Sequence, residues 1–557
     1  MLGSKKKYNG RQWWKEAVFY QVYPRSFRDT NGDGNGDLAG IIEKLDYLHD
    51  LGVDAIWLTP IYASPMADNG YDVSDYYAVN PMFGAMADFE KLLEGLHFRG
   101  MKLMMDLVIN HTSVFHPWFL ESRSSLDNPK RDWYIWRYGR DGHEPNNWAS
   151  HFMTSAWEFD EKTNQYYLHM FSKEQADLNW RNAEVKEEIF QMVRFWLGKG
   201  VDAFRMDMAN YLMKSESLPD APRREGDTRP YVHGEGLYAN QPGMRELLTE
   251  LRSEVLDKYG AVIFGEMYFL TPETALEYAA YDQRRMDMLY QYEIVGARGD
   301  WEKVKKSVRV WYEAFKGKAW SSITFSNHDS PRPVSIFGDD KNARAESAKC
   351  LATFLLTAPG TPFFLEGEEL GMTNVTYPDL ASYSDIEMKT KYAERVSRGE
   401  DPGSILIDLA RWSRDNARTP MQWNAETEAG FTTGRPWLPV NPNYPEVNVD
   451  FEQEDTDSVL NFYKKLIALR RKHRALIYGE YVPLTPDDWE TYAYKRVLGA
   501  DVYIIILNTS PREWHMKIPD ELKNHRHKLL LSSLAPNSDM EEEFLLKPWE
   551  TRIYKSS

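Results

Sequence analysis

The sequence predicts an α/β fold, a (β/α)8 TIM barrel with an inserted subdomain after the third strand and a C-terminal antiparallel β domain. Along most of the 557-residue chain, short apolar runs alternate with amphipathic helical patterns, and eight such runs are found. The alternation stops for about seventy residues after the third run, and near the C-terminus helices give way to short alternating strands. We therefore assign the barrel to 1–110 and 181–477, the insert to 111–180 and a β-sandwich domain to 478–557.

The predicted barrel strands share a short apolar character and end in turn or polar residues. They lie at 17–24, 55–60, 102–110, 201–208, 262–267, 288–293, 321–327 and 361–370. Helical patterns separate most of them, with apolar residues three and four positions apart. The helix before the fourth strand shows this best, since Gly198 and Gly200 follow its last apolar residue at the place of a C-cap. A helix over 457–473 completes the barrel.

Composition limits the classes of partner. Lys and Arg total 67 against 84 Asp and Glu, and the net charge of −17 argues against nucleic acid and anionic membranes. The single cysteine, Cys350, rules out an internal disulfide and favours a reducing compartment. We found neither a signal-peptide pattern nor an apolar run of membrane-spanning length. The sequence thus predicts a cytoplasmic protein, a monomer or small homo-oligomer, with a small molecule as its partner.

The stretch V-D-A-F-R-M-D-M at 201–208 places Arg205 and Asp207 two positions apart in an apolar run. Side chains two apart on a strand share a face, so the pair is expected at the carboxyl end of the fourth strand. A salt bridge without further role is the alternative for one such pair. However, polar residues follow other strands as well, and barrel chemistry is found at those ends. They are Asp106, Asn110, His111, Glu266, His328 and Asp329.

Several carboxylates in one cleft raise each other's pKa, which costs stability but serves acid/base chemistry. The chain has no Cys/His spacing typical of a zinc site, no glycine-rich phosphate loop and no G-x-S-x-G elbow. Paired carboxylates with many aromatic residues nearby suit glycoside hydrolysis, in which one acid protonates the leaving oxygen and the other attacks or activates water.

A second polar stretch, D-T-N-G-D-G-N-G-D at 29–37, has acidic or amide side chains at alternate positions and glycines between them. Several oxygen ligands from one tight loop are typical of calcium sites. The loop is not an EF-hand, because Gly40 occupies the twelfth position where a bidentate glutamate belongs. A metal-free loop closed by Asx turns is the alternative.

Four segments together resemble the signature regions of the α-amylase family of retaining glycosidases. They are D-L-V-I-N-H-T-S (106–113), F-R-M-D-M (204–208), F-G-E-M (264–267) and S-N-H-D-S-P-R (326–332). Two more, Q-A-D-L-N-W (175–180) and R-D-N-A-R-T-P-M-Q-W (414–423), resemble the oligo-1,6-glucosidase and α-glucosidase group. The resemblance covers nearly the whole chain and implies removal of single glucose units from non-reducing ends.

The resemblance implies a role for each matching acid. Asp207 would be the nucleophile, Glu266 the general acid and then base, and Asp329 the group that holds two sugar hydroxyls and stabilises the transition state. We expect Arg205 to keep Asp207 ionised, whereas Glu266 needs a raised pKa. Retention of configuration would place the nucleophile and acid roughly 5–5.5 Å apart.

The same resemblance implies the substrate-binding residues. His111 and His328 would bind hydroxyls of the terminal glucose, Tyr71 would stack on its ring, and Arg205 would support the nucleophile. Asp68 would pair with an arginine to close the pocket, Arg418 being favoured over Arg414. For the structural calcium ion it implies five ligands: Asp29, Asn31, Asp33, the Asn35 carbonyl and Asp37.

Some features leave the substrate open. In related enzymes valine after the nucleophile goes with α-1,6 cleavage and threonine or small residues with α-1,4, whereas this chain has Met208. Ile336 replaces an arginine common in the group, and no R-L-D-R-D-like segment follows Asp329, which argues against a sucrose isomerase. Sucrose- or trehalose-directed enzymes and transglycosylation remain alternatives. Amino-acid transporter heavy chains share this resemblance, but they carry a membrane helix and lack parts of the acid triad.

Overall fold

The computed structural model of the chain describes residues 10–485, 488, 491–523, 525–534 and 539–557. Eight parallel strands form one nearly closed sheet, which confirms the predicted barrel. Their order in the sheet is β6-β5-β4-β3-β2-β1-β8-β7. In chain order they are β1 Phe19–Val22, β2 Ala55–Leu58, β3 Lys102–Leu107, β4 Ala203–Met206, β5 Val262–Gly265, β6 Met288–Leu289, β7 Ser322–Ile323 and β8 Thr361–Leu365.

Helices with one apolar face lie between the strands. The fourth-strand helix is capped by Gly200 at φ 110°, as predicted, whereas Gly198 lies inside it. Between β1 and β2 two short helices meet at Lys44. The bounds of the barrel helices are Leu38–Glu43, Leu45–Leu51, Met86–Phe98, Ala183–Lys199, Met244–Leu251 with a π-helical turn Arg252–Leu256 and Asp257–Tyr259, Pro272–Ala279, Trp301–Phe315, Arg344–Thr357 and Val459–Lys472.

All eight barrel strands are shorter than the apolar runs that predicted them. After β6 the chain turns into the helix Tyr292–Val295, and after β8 into the 3-10 turn Glu368–Leu370. The run at 321–327 pairs only over Ser322–Ile323. Apolar runs mark burial as well as pairing, so buried residues beyond the last paired one extend the run without extending the strand.

The chain divides into two compact units. The central unit comprises 57–97 and 102–290, and the terminal unit comprises 1–56, 98–101 and 291–557. In the central unit β4 pairs with β3 and β5 in parallel register, which sets Arg205 beside Asp106 and Phe264. The predicted insert follows β3 and holds a helix, Pro117–Ser122, a three-stranded antiparallel sheet and a two-stranded ribbon. Their strands are Trp136–Arg137, Trp157–Asp160 and Gln165–Leu168, then His111–Ser113 and Gln175–Asp177.

A hydrophobic cluster joins the insert to the segment that follows β4. It contains Trp148, Phe171, Met208 and Tyr238, all less than a tenth exposed. A backbone bridge between Trp148 and Val232 ties the same two segments. Parts of the chain after the fourth strand are therefore packed against the insert, while residues 222–230 are largely exposed.

In the terminal unit β1 pairs with β8, and the predicted C-terminal antiparallel domain is confirmed. Its five-stranded sheet is accompanied by a two-stranded ribbon of Trp514–Lys517 and Glu543–Leu546 and a 3-10 turn Asp520–Leu522. In sheet order the five strands are Glu480–Pro483, Thr491–Leu498, Asp501–Asn508, Thr551–Ser556 and His527–Ser532.

Two buried arginines bond to the C-terminal end of the barrel helix Arg344–Thr357, Arg496 from this sheet and Arg470 from the barrel helix Val459–Lys472. Arg496 donates to the carbonyl oxygens of Thr357, Ile477 and Gly479. Arg470 donates to the carbonyl oxygens of Leu356 (3.1 Å), Leu476 (2.9 Å) and Gly360 (2.8 Å). The last carbonyls of a helix have no partner within it, so these guanidinium groups complete its C-terminal end.

The remaining elements are short and lie between barrel units. Helices are Trp13–Glu16, Pro24–Phe27, Glu235–Tyr238, Pro333–Phe337, Ile386–Ser397, Pro402–Ala410, Asp415–Arg418, Val449–Glu454 and Ala475–Tyr478; 3-10 turns are Arg131–Trp133, Leu380–Ser382 and Thr427–Gly430; a small hairpin pairs Tyr62–Ala63 with Asp75–Val79. Within the described ranges, no helix combines the length and apolar character needed to cross a membrane.

Candidate active site

In the central unit one guanidinium gathers three carboxylates at the ends of β3, β4 and β5. Arg205 Nη1 lies 2.6 Å from Asp106 Oδ1 and 2.8 Å from Asp207 Oδ1, and its Nη2 pairs with Glu266 Oε2. All four side chains are less than a tenth exposed. The structure thus brings together the predicted nucleophile, the predicted acid and Arg205.

The two predicted catalytic acids share the Arg205 guanidinium and a side-chain hydrogen bond. Burial, with the Glu266 and Asp106 carboxylates adding to it, raises the pKa of Asp207 well above its usual value, although Arg205 acts to lower it. The Arg205 charge acts in the direction expected of it, toward an ionised Asp207, but burial and the neighbouring carboxylates outweigh it. Since like charges this close repel each other, the Asp207 carboxyl holds its proton more tightly than an isolated aspartate does.

The residue after Asp207 has an unusual backbone. Met208 has a φ of 45°, in the left-handed region, and its N–H donates to Glu266 Oε2 at 3.3 Å. Its side chain, 3% exposed, belongs to the cluster that joins the insert to the segment after β4. This turn places the Met208 N–H as one more hydrogen-bond donor to Glu266, the predicted acid. Strained backbone of this kind is common at functional sites.

Asp106 has a place in the site that the sequence interpretation did not assign to it. Its Oδ2 accepts hydrogen bonds from Trp57 Nε1 at 3.0 Å and from the Tyr71 hydroxyl at 3.1 Å, while Oδ1 faces Arg205. Tyr71, predicted to stack on the substrate ring, is therefore oriented through its hydroxyl. The Arg205 guanidinium also lies 5.3 Å from the Trp57 ring centre, a cation–π distance.

A buried lysine, also unassigned from the sequence, supports His111. Lys214 Nζ lies 2.7 Å from Asn110 Oδ1 and 2.5 Å from Asp177 Oδ2. Asn110 Nδ2 in turn lies 3.2 Å from His111 Nδ1 and 3.2 Å from Asp177 Oδ2. Burial lowers the pKa of Lys214, which Asp177 opposes, and burial also lowers the pKa of His111. His111 is thus a neutral imidazole beside a compact polar core.

Asp68 lies on the loop after β2 and is buried. Gln175 Nε2 donates to its Oδ2 at 3.1 Å, and Gln175 comes from the Q-A-D-L-N-W segment of the insert. The predicted pairing of Asp68 with Arg418 or Arg414 stays a prediction. Within the terminal unit, Arg418 pairs with Asp329 at 2.6 Å and Arg414 with Asp385 at 3.0 Å.

The terminal unit holds the other predicted pair, His328 and Asp329, after β7. His328 is fully buried, and its Nε2 lies 3.1 Å from Asp329 Oδ2. Arg418 donates through Nη2 to Asp329 Oδ1 at 2.6 Å and through Nε to the His328 carbonyl at 2.9 Å. Burial acts to raise the pKa of Asp329, but the hydrogen bond from His328 and the charges of Arg418 and Arg414 hold it well below its usual value. Asp329 is therefore an ionised carboxylate, as stabilising a developing cation requires.

The loop at 29–37 is closed by its own amides. Asp29 accepts N–H bonds from Asn31, Gly32 and Gly34, and its Oδ2 also accepts the Thr432 hydroxyl. Asp37 accepts bonds from Thr30 and Gly40. In the described part of the chain, no group of three or more His, Cys, Asp or Glu side chains is placed to hold a metal ion. Oxygen donors of this kind suit calcium. To bind the ion, Asp29 and Asp37 would have to give up hydrogen bonds that they accept within the loop.

Comparison with known proteins gives consistent matches. Residues 21–479 match the alpha amylase catalytic domain family. The chain is 50% identical over 558 residues to the oligo-1,6-glucosidase of Parageobacillus thermoglucosidasius, covering 98% of this chain and 99% of that one. It is 47% identical over 559 residues to the oligo-1,6-glucosidase of Halalkalibacterium halodurans, with coverages of 98% and 99%. A solved structure, the trehalulose synthase MutB of Pseudomonas mesoacidophila MX-45, matches with a TM-score of 0.92 at 41% identity, over 98% of this chain and 100% of that one.

Proposed function

Since the chain belongs to the α-amylase family of glycoside hydrolases and is an α-glucosidase, we propose that it releases terminal glucose from short α-1,6-linked oligosaccharides of the isomaltose type, with retention of configuration. The family match over residues 21–479 and the oligo-1,6-glucosidase relatives at 47–50% identity support the substrate class. α-1,4-linked, sucrose-type and trehalose-type substrates are the alternatives that the experiment below separates.

One observation carries the proposed mechanism: Asp207 and Glu266 bind adjacent nitrogens of the same guanidinium and hydrogen-bond to each other. Inverting enzymes need roughly 6.5–9.5 Å between their carboxyls to admit a water molecule, whereas retaining ones need about 5–5.5 Å. Two carboxyls bridged by one Arg205 favour the shorter spacing. Direct attack by Asp207 on the anomeric carbon therefore fits this site better than attack by an interposed water.

In the proposed reaction the proton of the carboxyl pair is delivered by Glu266 to the glycosidic oxygen, and the Asp207 carboxylate bonds to the anomeric carbon as the aglycone leaves. Water then attacks that carbon while Glu266 takes a proton from the water, and the bond between the carbon and Asp207 breaks. Arg205 stays bound to both acids and offsets their negative charge. Asp329, ionised by its cationic neighbours, would hold sugar hydroxyls and stabilise the oxocarbenium-like transition state.

The test is to incubate the purified protein with isomaltose, maltose, sucrose and trehalose and to follow released glucose and its anomer by NMR. Asp207→Asn and Glu266→Gln serve as controls. Prompt α-glucose from isomaltose, lost in both variants, is the expected result. Initial release of the non-reducing glucose unit as the β-anomer would overturn retention, and faster turnover of another disaccharide would move the substrate class while leaving the mechanism.

We also propose that a structural calcium ion binds the loop at 29–37. Its donors would be side-chain oxygens of Asp29, Asn31, Asp33 and Asp37 with the Asn35 carbonyl, a set of hard oxygens suited to calcium. A bound ion at a hundred times its Kd would stabilise the fold by about 2.7 kcal/mol. The thermal midpoint is expected to be higher with calcium than with EDTA in the wild type, and the same in both for Asp33→Ala. Equal midpoints with calcium and with EDTA would contradict the proposal.

Finally, we propose a cytoplasmic location and a small oligosaccharide as the partner. The buried, unpaired thiol of Cys350 supports a reducing compartment. Fractionation of the source cells tests the location. Recovery of the enzyme outside the cytoplasm would contradict it.

A further inference from the structure

Gln21 is a buried amide on β1 that contacts the histidine beside the third acid. Its side chain is 1% exposed, and its Nε2 lies 2.8 Å from His328 Nδ1. Its neighbours in the run F-Y-Q-V are aromatic or aliphatic, and the run itself gives no reason for a polar residue at this position. A buried amide inside a barrel strand costs stability unless it is hydrogen-bonded, so its partner explains its presence.

The backbone holds Gln21 in a fixed position. It pairs in register with Leu365 of β8, and its carbonyl accepts the Glu366 N–H at 3.0 Å. Tyr23, two residues further on, shares its side of the chain and stacks on the His328 ring at 6.0 Å with an interplanar angle of 22°. Glu366 also accepts the Tyr23 N–H at 2.8 Å. The pairing of β1 with β8 therefore fixes two contacts of the His328 imidazole: Gln21 contacts the edge of the ring and Tyr23 contacts its face.

The geometry fixes where the imidazole carries its proton. A glutamine Nε2 is only a donor, so His328 Nδ1, 2.8 Å away, must accept. The neutral ring then bears its proton on Nε2, which lies 3.1 Å from Asp329 Oδ2 and donates to it. The hydrogen bond made by one ring nitrogen thus decides what the other offers.

We propose that Gln21 is a positioning residue that locks His328 in the neutral Nε2–H tautomer, so that His328 gives Asp329 a hydrogen bond without giving it a positive charge. The inference rests on the proposed function, in which Asp329 stabilises a cationic transition state. An imidazolium at this place would add a third cation to Arg418 and Arg414, which already face Asp329. Asp329 would then have less negative charge to offer the oxocarbenium-like sugar.

Two nearly isosteric variants separate this role from packing. Gln21→Glu places an acceptor opposite Nδ1 and favours a proton there, whereas Gln21→Met removes the donor without adding a charge. Gln422→Glu is the matched control, since Gln422 is also fully buried and donates to the Val447 carbonyl and to Asn443. Solid-state NMR of protein labelled with ring-15N histidine reports the protonation of each nitrogen, and a His328→Gln sample assigns the resonances.

The wild type should show an unprotonated Nδ1 and a protonated Nε2 at pH 7. Gln21→Glu should show both nitrogens protonated, Gln21→Met a mixture of tautomers, and Gln422→Glu the wild-type spectrum. We expect kcat to fall by roughly tenfold to a hundredfold in Gln21→Glu, the range seen when a metal-site histidine loses its outer hydrogen-bond partner, with a smaller fall in Gln21→Met and little change in KM.

Two results would overturn the proposal. One is an imidazolium, or a proton on Nδ1, in the wild-type protein. The other is a Gln21→Glu variant that folds with a wild-type thermal midpoint, carries the imidazolium and keeps wild-type kcat. Failure of the proposed function looks different, because the wild-type spectrum would be as expected while no glucoside is cleaved. If Gln21→Glu does not fold, Gln21→Met decides through its tautomer ratio and kcat.

Discussion

Replacing Lys214 by methionine tests the buried polar core beside His111. Lys214 Nζ lies 2.5 Å from Asp177 Oδ2, and both side chains are at most 2% exposed. Methionine keeps most of the apolar stem but leaves the Asp177 carboxylate in the interior without its cation. Removing one partner of a buried pair costs about 3–5 kcal/mol.

That free energy can be converted into a melting shift. An unfolding entropy of about 2.1 cal/mol/K per residue over 557 residues gives about 1.2 kcal/mol/K for a fully cooperative transition, and hence a fall of about 3–4 °C in Tm. The shift would be larger if the central unit melted separately, since fewer residues would share the same loss. Differential scanning calorimetry measures it directly.

The chain offers a matched control in Lys199→Met. Lys199 Nζ lies 2.6 Å from Glu90 Oε1, but the two side chains are 22% and 56% exposed, so its loss should cost at most about 1 kcal/mol. Adding Asp177→Asn to Lys214→Met should recover more than half of the lost stability. Equal Tm losses in Lys214→Met and Lys199→Met, or no recovery in the double variant, would refute the reasoning.

Three further predictions concern single residues. Glu266→Gln should lower kcat about 10²–10⁴-fold with little change in KM, as steady-state kinetics on isomaltose will show; unchanged kcat would remove Glu266 from acid catalysis. Burial raises the pKa of Glu368 to about 7, so the native state binds that proton more tightly than the unfolded state, and stability falls as pH rises from about 4.5 through 7. Glu368→Gln should therefore be more stable than the wild type at pH 8, by up to about 3 kcal/mol in urea unfolding, and not at pH 4; equal gains at both pH values would contradict this. Met208→Val places a β-branched residue at φ 45°, which should cost about 1–3 kcal/mol and raise the isomaltose-to-maltose rate ratio; an unchanged ratio would count against a role in linkage choice.

The barrel and the Arg205–Asp207 pair could be predicted because both rest on local regularities. Apolar runs, helical periods and glycine caps mark elements wherever they occur, and a spacing of two on a strand places side chains together in any fold. Strand lengths were less predictable: the run at 288–293 is buried throughout most of its length, but only Met288–Leu289 pair. Whether a residue pairs depends on the neighbouring strand, and the sequence of the run itself gives no information about that neighbour.

The parts of the site that were missed depend on contacts between distant residues. Asp106 was predicted at a strand end, but its contact with Arg205 follows from the register of β3 and β4, and Lys214 reaches Asn110 across 104 positions of sequence. Gln21 reaches His328 across 307 positions. A polar residue inside an apolar run was the available hint for Asp106 and Gln21. Lys214 lies in a stretch with no period at all.

The buried Arg496 of the C-terminal sheet limits how the chain can be divided. Arg496 completes the end of the helix Arg344–Thr357 from outside the barrel, so a chain truncated near residue 478 would lose this partner and expose to water a helix that is buried along most of its length. Such a fragment should aggregate or be degraded, even though every barrel strand and every predicted catalytic acid is retained. The C-terminal sheet is therefore not an exchangeable module. A chimera of two relatives should take Arg496 and the helix Arg344–Thr357 from the same parent.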